Sequence, residues 1–222
     1  MENPHKAEII FNGEPVSNEY AGWYVDRDIR CVNLPKINKG ENILRIKMPF
    51  GMRTDLEACY VIGEFGTSYK GREAFICEMP KELYFGSVVH QGMAFYGANV
   101  EYKAPIKTEC DGDIEIILSH YRGALVKILL DGKEAGRVVS SPFTVRIPDV
   151  KAGEHELTYI LYGTRYNTFS ALHNLDASKA PVYNGPVFWR SENESWAYEY
   201  QTRQMGILKT PVVNLITKKP KM

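Results

Sequence analysis

One block of sequence occurs twice in this chain, and the repetition constrains the fold more than any other feature. Laid side by side, one copy reads EIIFNGEPVS from Glu8 and the other KILLDGKEAG from Lys127. Each is followed by an extended stretch that closes in proline, RCVNLP from Arg30 and SPFTVRIP from Ser141. A polar loop with Gly-Glu-Asn or Gly-Glu-His and a long alternating strand then complete the block, KINKGENILRIKMPF from Lys36 and DVKAGEHELTYILYG from Asp149. A fixed order of this kind describes one supersecondary unit used twice. Within it, Asn12-Gly13 and Asp131-Gly132 place a residue that tolerates positive φ before a glycine. A two-residue hairpin turn demands that pair, so both sites predict hairpins.

The strand candidates elsewhere are short, β-branched or aromatic, and bounded by Gly, Pro, Asn or Asp, with almost no helical spacing. The chain therefore reads as all-β. The second copy is preceded by two candidates, Asn99 to Ala104 and Asp113 to Ser119, and followed by two more, Trp196 to Thr202 and Val212 to Ile216. The first copy begins almost at Met1. The expectation is an antiparallel β-sandwich over residues 83–222, complete, preceded over residues 1–82 by the latter half of another. Half a sandwich leaves an apolar face and a strand edge uncovered. Two readings meet that difficulty: a chain cut from something longer, or a first segment completed by the second domain or by a homodimer through residues 1–82.

Composition removes several classes. Among 222 residues, 27 Lys plus Arg balance 27 Asp plus Glu, so no basic excess attracts nucleic acid or an anionic membrane. A content of 44% hydrophobic and 24% charged residues suits a globular chain, and no apolar run approaches the ~20 residues of a membrane span. The start, MENPHKAEIIFNGE, lacks a signal-peptide apolar segment. That implies a cytoplasmic location if Met1 is the native start, and otherwise leaves the compartment open. Cys31, Cys59, Cys77 and Cys110 have no C-x-x-C pairing or finger spacing. The expectation is reduced core thiols and no zinc; no cofactor is implied.

Four stretches carry a resemblance to a known family: GWYVDRDIRCVNLPKINKGENILRIKMPF with LEACYVIGEFG, QGMAFYGANVEY, YRGALVKILLDGKEAG with LYGTRYNTFSALH, and WAYEYQTRQMGILKTP. They resemble the galactose-binding-like jelly-roll β-sandwich that accompanies bacterial glycoside hydrolases, in particular accessory regions of large glycosidases related to the family 2 and α-rhamnosidase groups. The resemblance implies a non-catalytic sandwich flanking a barrel that carries the catalytic carboxylates, and no stretch of this chain resembles that barrel.

The residues themselves were weighed for chemistry on the same footing. Glycoside hydrolysis needs two carboxylates ~5 to 9.5 Å apart, one with a raised pKa. Asp26, Asp28, Glu57, Glu64, Glu192 and Glu194 are candidates, but solvated loops and strand faces account for them, so no catalytic residue is assigned. No G-x-S-x-G, Walker loop or H-E-x-x-H occurs. The stretch from Gly163 to His173 gathers Arg165, Tyr166, Asn167, Phe169 and His173. Planar polar groups bond sugar hydroxyls and ring faces stack on a pyranose, so Arg165, Tyr166, Asn167, His173 and the loop indole Trp189 form the carbohydrate-binding candidate. The competing reading has Arg165, Asn167 and His173 satisfying backbone groups in a long loop. Trp196, Tyr198 and Tyr200 alternate, which on a strand sets them on one face, and the stretch Val89 to Gly97 is expected near the same end of the fold. Asp111 and Asp113 fall short of a calcium ligand set and suit a hairpin turn, so no metal is assigned.

The function expected from the sequence is a non-catalytic, carbohydrate-associated region of a glycoside hydrolase-like protein, binding glycan weakly or packing on a catalytic domain. The alternatives are a structural or oligomerisation scaffold and a glycosidase acting through paired carboxylates.

Overall fold

The computed structural model describes residues 1–52, 54, 58–175 and 196–217. The fold is all-β and antiparallel, and its contacts divide into two units, with the division in sequence after Gly63.

The first unit opens with a 3-10 turn at Pro4–Lys6 and contains β1 (Glu8–Phe11), β2 (Glu14–Val16), β3 (Gly22–Tyr24), β4 (Asp26–Cys31) and β5 (Leu44–Lys47). Its three-stranded sheet has the order β2-β1-β5, and β3 pairs with β4. The second unit contains the hairpin β6 (Gly66–Lys70) and β7 (Glu73–Cys77), then β8 (Val100–Thr108), β9 (Gly112–Ile117), β10 (Tyr121–Arg122), β11 (Leu125–Leu130) and β12 (Lys133–Val138). β13 (Thr144–Val150), β14 (Gly153–Tyr162), one helical turn α1 (Tyr166–Phe169), β15 (Gly206–Ile207) and β16 (Val212–Ile216) follow.

In the second unit the sheet β12-β11-β14-β8 and the sheet β13-β9-β16 form the two layers of a β-sandwich. Alternation along the strands makes this possible: Val126 and Ile128 of β11 and Ile114 and Ile116 of β9 are buried, and their neighbours face outward or to the rim. Leu157, Tyr159 and Leu161 of β14 join them in one core cluster with Val145 and Ile147 of β13. Burying each such side chain contributes roughly 1.5 to 3 kcal/mol. The sequence placed the division at 82/83; it falls earlier because β6 bonds into the second unit. Thr67 N donates to the Gly92 carbonyl at 2.7 Å and Ala94 N donates to the Thr67 carbonyl at 3.1 Å.

The repeated block is visible atom by atom. Asn12 and Asp131 have φ of 52° and 50°, and Gly13 and Gly132 follow at 89° and 76°, so both turns are left-handed two-residue hairpins. β1 pairs with β2 and β5, as β11 pairs with β12 and β14. The register agrees, with Ile9 opposite Ile46 in one copy and Ile128 opposite Tyr159 in the other. Each turn residue also locks the loop ahead of the third strand. Asn12 Oδ1 accepts Ile43 N at 2.8 Å, and Asp131 Oδ1 accepts Glu156 N at 2.9 Å. Asn12 Nδ2 donates to Asn42 Oδ1 at 3.0 Å, where the second copy has His155 Nδ1 at 2.7 Å from Asp131 Oδ2. Asn42 Nδ2 reaches the Asn38 carbonyl at 2.9 Å, and His155 Nε2 reaches the Lys151 carbonyl at the same distance. Different residues thus perform one task at equivalent positions.

Three expectations about elements are corrected. RCVNLP is not a strand matching β13: Cys31 ends β4 and the following residues pair with nothing in a sheet, whereas β13 is held by β9. Among the described residues the first unit has no counterpart of β9, so the segment finds no ladder to join there. Trp196 to Thr202 is a bent loop, with only an isolated bridge between Trp196 and Asn174. The cysteines are free but not in the core: Cys59 and Cys110 are exposed, and Cys31 and Cys77 half-buried. Cys31 and Cys77 end two-stranded ribbons, and such ribbons have no second layer to bury a face.

Candidate functional site

The loop after β14 is fixed by backbone packing before any recognition group is placed. A side chain at Gly163 would collide with the Ala98 carbonyl, and one at Gly97 with Thr168 Oγ1. Thr168 donates to the Phe95 carbonyl at 2.9 Å, which ties α1 to the stretch ahead of β8. Asn167, 4% exposed, bridges the backbone of Arg203: its Nδ2 donates to the carbonyl at 2.7 Å and its Oδ1 accepts the amide at 2.8 Å. The carboxamide therefore holds the loop to Arg203, which is what the competing reading of the sequence assigns to it. At 4% exposure its remaining N–H and lone pair are closed off from a hydroxyl in solvent. Tyr166 lies beneath the Arg203 guanidinium, 3.7 Å from ring centroid to Cζ, a cation–π contact. Arg165 precedes α1 with an exposed side chain.

His173 belongs to a cluster of rings. Its Nδ1 lies 3.0 Å from the Ala197 carbonyl, so that nitrogen carries the proton, while Ala197 N donates back to the His173 carbonyl at 2.6 Å. The imidazole is 4.4 Å from the Tyr200 ring centroid and stacks on Trp196 at 5.8 Å and 25°. Tyr200 packs on Phe95 at 5.1 Å and on Tyr69 at 5.2 Å. The Tyr69 hydroxyl and Thr202 Oγ1 are bonded at 2.7 Å. Tyr198 stands edge-on to Trp196 at 6.3 Å, is 50% exposed, and carries the Arg72 guanidinium 5.7 Å from its ring. Gly71, at φ 59°, makes room for it: a Cβ there would sit 2.8 Å from Tyr198 Cε1.

The result is an aromatic ledge with a half-buried support and a more exposed rim. Tyr69, Phe95, Tyr200 and His173 form the support, and Trp196, Tyr198 and Arg72 form the rim. Half-exposed rings backed by packed rings present a flat apolar surface at low entropic cost, next to guanidinium donors. Trp196, Tyr198 and Tyr200 do assemble, but around His173 rather than along one strand face. The stretch Val89 to Gly97 arrives at this end of the sandwich through Phe95, as expected. Tyr69, Arg72 and Arg203 were not singled out in the sequence. The turn Lys70-Gly71-Arg72 between alternating segments was the available signal. Trp189, with Glu57, Glu192 and Glu194, lies outside the described residues.

Carboxylates elsewhere are engaged in structure. Asp26 Oδ1 accepts Asp28 N at 2.9 Å, a local turn on an exposed strand. Asp113, 6% exposed, is paired with Arg146 at 3.0 Å and accepts Asp149 N at 3.1 Å, holding the bulge of β13. Asp111 bonds Lys151 Nζ at 2.7 Å and Ala152 N at 2.9 Å, and these bonds hold its pKa below the usual range. Hydrogen bonds from His155 and Arg137 lower Asp131 and Glu134 in the same way. Among the described residues, no three His, Cys, Asp or Glu side chains converge as a metal ligand set.

No protein family and no curated protein matches the chain. Solved structures do. A GH2 β-galacturonidase from Eisenbergiella tayi bound to glycerol matches at TM-score 0.35 and 22% identity, over 67% of this chain and 22% of that one. The E. tayi GH2 β-galacturonidase bound to galacturonate matches at 0.34 and 21%, with the same coverage. A rhamnosidase from Novosphingobium sp. PP1Y matches at 0.39 and 13%, over 94% of this chain and 20% of that one. The chain thus spans about a fifth of the length of each.

Proposed function

We propose that this chain is a non-catalytic, carbohydrate-associated β-sandwich region of the galactose-binding-like type, acting beside a glycoside hydrolase and binding glycan weakly through the aromatic ledge. The observation that carries the reading is the rim of Trp196, Tyr198 and Arg72 on a half-buried support of four packed rings. A pyranose stacks its C–H face on a half-exposed tyrosine or indole while a guanidinium bonds adjacent hydroxyls. Arg165, just ahead of α1, and Tyr166, its first residue, extend the kit, while Asn167 holds the loop.

The test is a titration of a neutral and an acidic glycan panel against the chain by calorimetry, with Tyr198→Ala alongside. Binding at about millimolar Kd, roughly −4 kcal/mol, that weakens about fivefold to tenfold in Tyr198→Ala is expected, since a stacked ring contributes about 1 kcal/mol. Flat titrations across the panel would refute the glycan reading.

A further inference from the structure

The first copy of the repeated block has one place that the second copy shows how to fill. β14 lies inside its sheet, between β11 and β8, and its pairing with β8 runs from Gly153 opposite Thr108 to Leu161 opposite Val100. β5, its counterpart, is the edge of β2-β1-β5 and, among the described residues, pairs only with β1. Leu44 is 36% exposed where its counterpart Leu157 is fully buried, and Ile46 is half-buried where Tyr159 is 1% exposed. An edge of free N–H and C=O groups beside a half-covered apolar row is a template for strand addition.

The charges on β5 choose the occupant. Its outward residues are Arg45 and Lys47, both exposed. Lys47 meets Glu8 of β1 at 3.6 Å, and Arg45 stands opposite Ile10. In the second copy the positions of Arg45 and Lys47 are held by Thr158 and Ile160, and β8 sets Lys103 and Glu101 opposite them. A second copy of the chain pairing β5 to β5 would set Arg45 and Lys47 against the same cations, which disfavours it. We infer that the β5 edge receives an extended strand from a partner polypeptide, antiparallel and in the register of β8 on β14. That strand carries acidic side chains opposite Arg45 and Lys47, alternating with apolar ones that close over Leu44 and Ile46.

A synthetic peptide of the β8 sequence, VEYKAPIKT, with K103E places Glu opposite Arg45, and its own Glu101 opposite Lys47, in that register. Fluorescence anisotropy of this labelled peptide against the chain is expected to saturate, and the unaltered lysine peptide to bind at least fivefold more weakly. In Arg45→Glu, whose exposed site leaves the fold intact by circular dichroism, the preference between the two peptides is expected to reverse. No saturation with the acidic peptide, or equal affinity for both, would overturn the inference. So would a chain that sediments as a dimer insensitive to Arg45→Glu.

Discussion

Replacing Asp131 by alanine removes one lock of the repeated block, and its cost is worked from three parts. The carboxylate accepts Glu156 N at 2.9 Å and faces His155 Nδ1 at 2.7 Å. Charge-assisted bonds contribute about 1.5 to 3 kcal/mol when buried, but this carboxylate is 50% exposed, so about 1 kcal/mol is appropriate. Alanine at φ 50° adds roughly 1 to 2 kcal/mol that aspartate or asparagine largely avoids. The sum is about 2 to 3 kcal/mol, or about 5 to 10 °C in Tm for a unit of this size. Asp131→Asn with His155→Asn writes the Asn12–Asn42 lock into the second copy and should lose only a few degrees. Its signature is in pH. Both ring nitrogens of His155 face acceptors, Asp131 and the Lys151 carbonyl, and these bonds raise its pKa. A raised histidine gives stability that is fully present below the unfolded value near ~6.5 and lost as pH rises through the folded value. Asp131, held low chiefly by the bond from His155, gives stability lost only as pH falls through its depressed folded value. Thermal melts from pH 5 to 9 should therefore show a decline at the alkaline side in the native chain that the double variant lacks. Identical pH profiles, or Asp131→Ala melting with the native chain, would refute the lock.

Three further outcomes follow from the same geometry. Asp113→Ala should cost about 2 kcal/mol in urea unfolding, because Asp149 N loses its acceptor at the β13 bulge, while Arg146, 58% exposed, recovers water. Burial pushes the Tyr159 phenol up to about 12, so ultraviolet titration should show one tyrosine ionising later than the rest, absent in Tyr159→Phe. Gly71→Ala should displace Tyr198 and weaken glycan binding about as much as Tyr198→Ala, with little change in the melting of the sandwich core.

The residues that made the fold legible are those whose chemistry is local. Asn12-Gly13 and Asp131-Gly132 specify their turns without help from distant chain, and the alternation of β11 and β14 specifies their buried faces. RCVNLP has the apolar pattern of a strand, yet pairing requires a neighbour and the described residues of the first unit offer none for it. Trp196 to Tyr200 differs: its alternation is real, but the rings satisfy one another and His173 in a loop, leaving strand geometry unnecessary. Asn167 and Phe95 were placed correctly at one end of the fold, while the role of Asn167 depended on Arg203, a contact no local pattern announces. Tyr69 and Arg72 reach the ledge from a hairpin far away in sequence, a proximity that only the tertiary fold creates.

The most direct measurement of the account is a two-dimensional NMR titration of the chain with the best-binding sugar of the panel. Shifts confined to the Trp196 indole N–H, the Tyr198 ring and the Arg72 side chain, saturating together, are predicted. Saturable shifts elsewhere with those three unmoved, or no shifts at millimolar sugar, would contradict it.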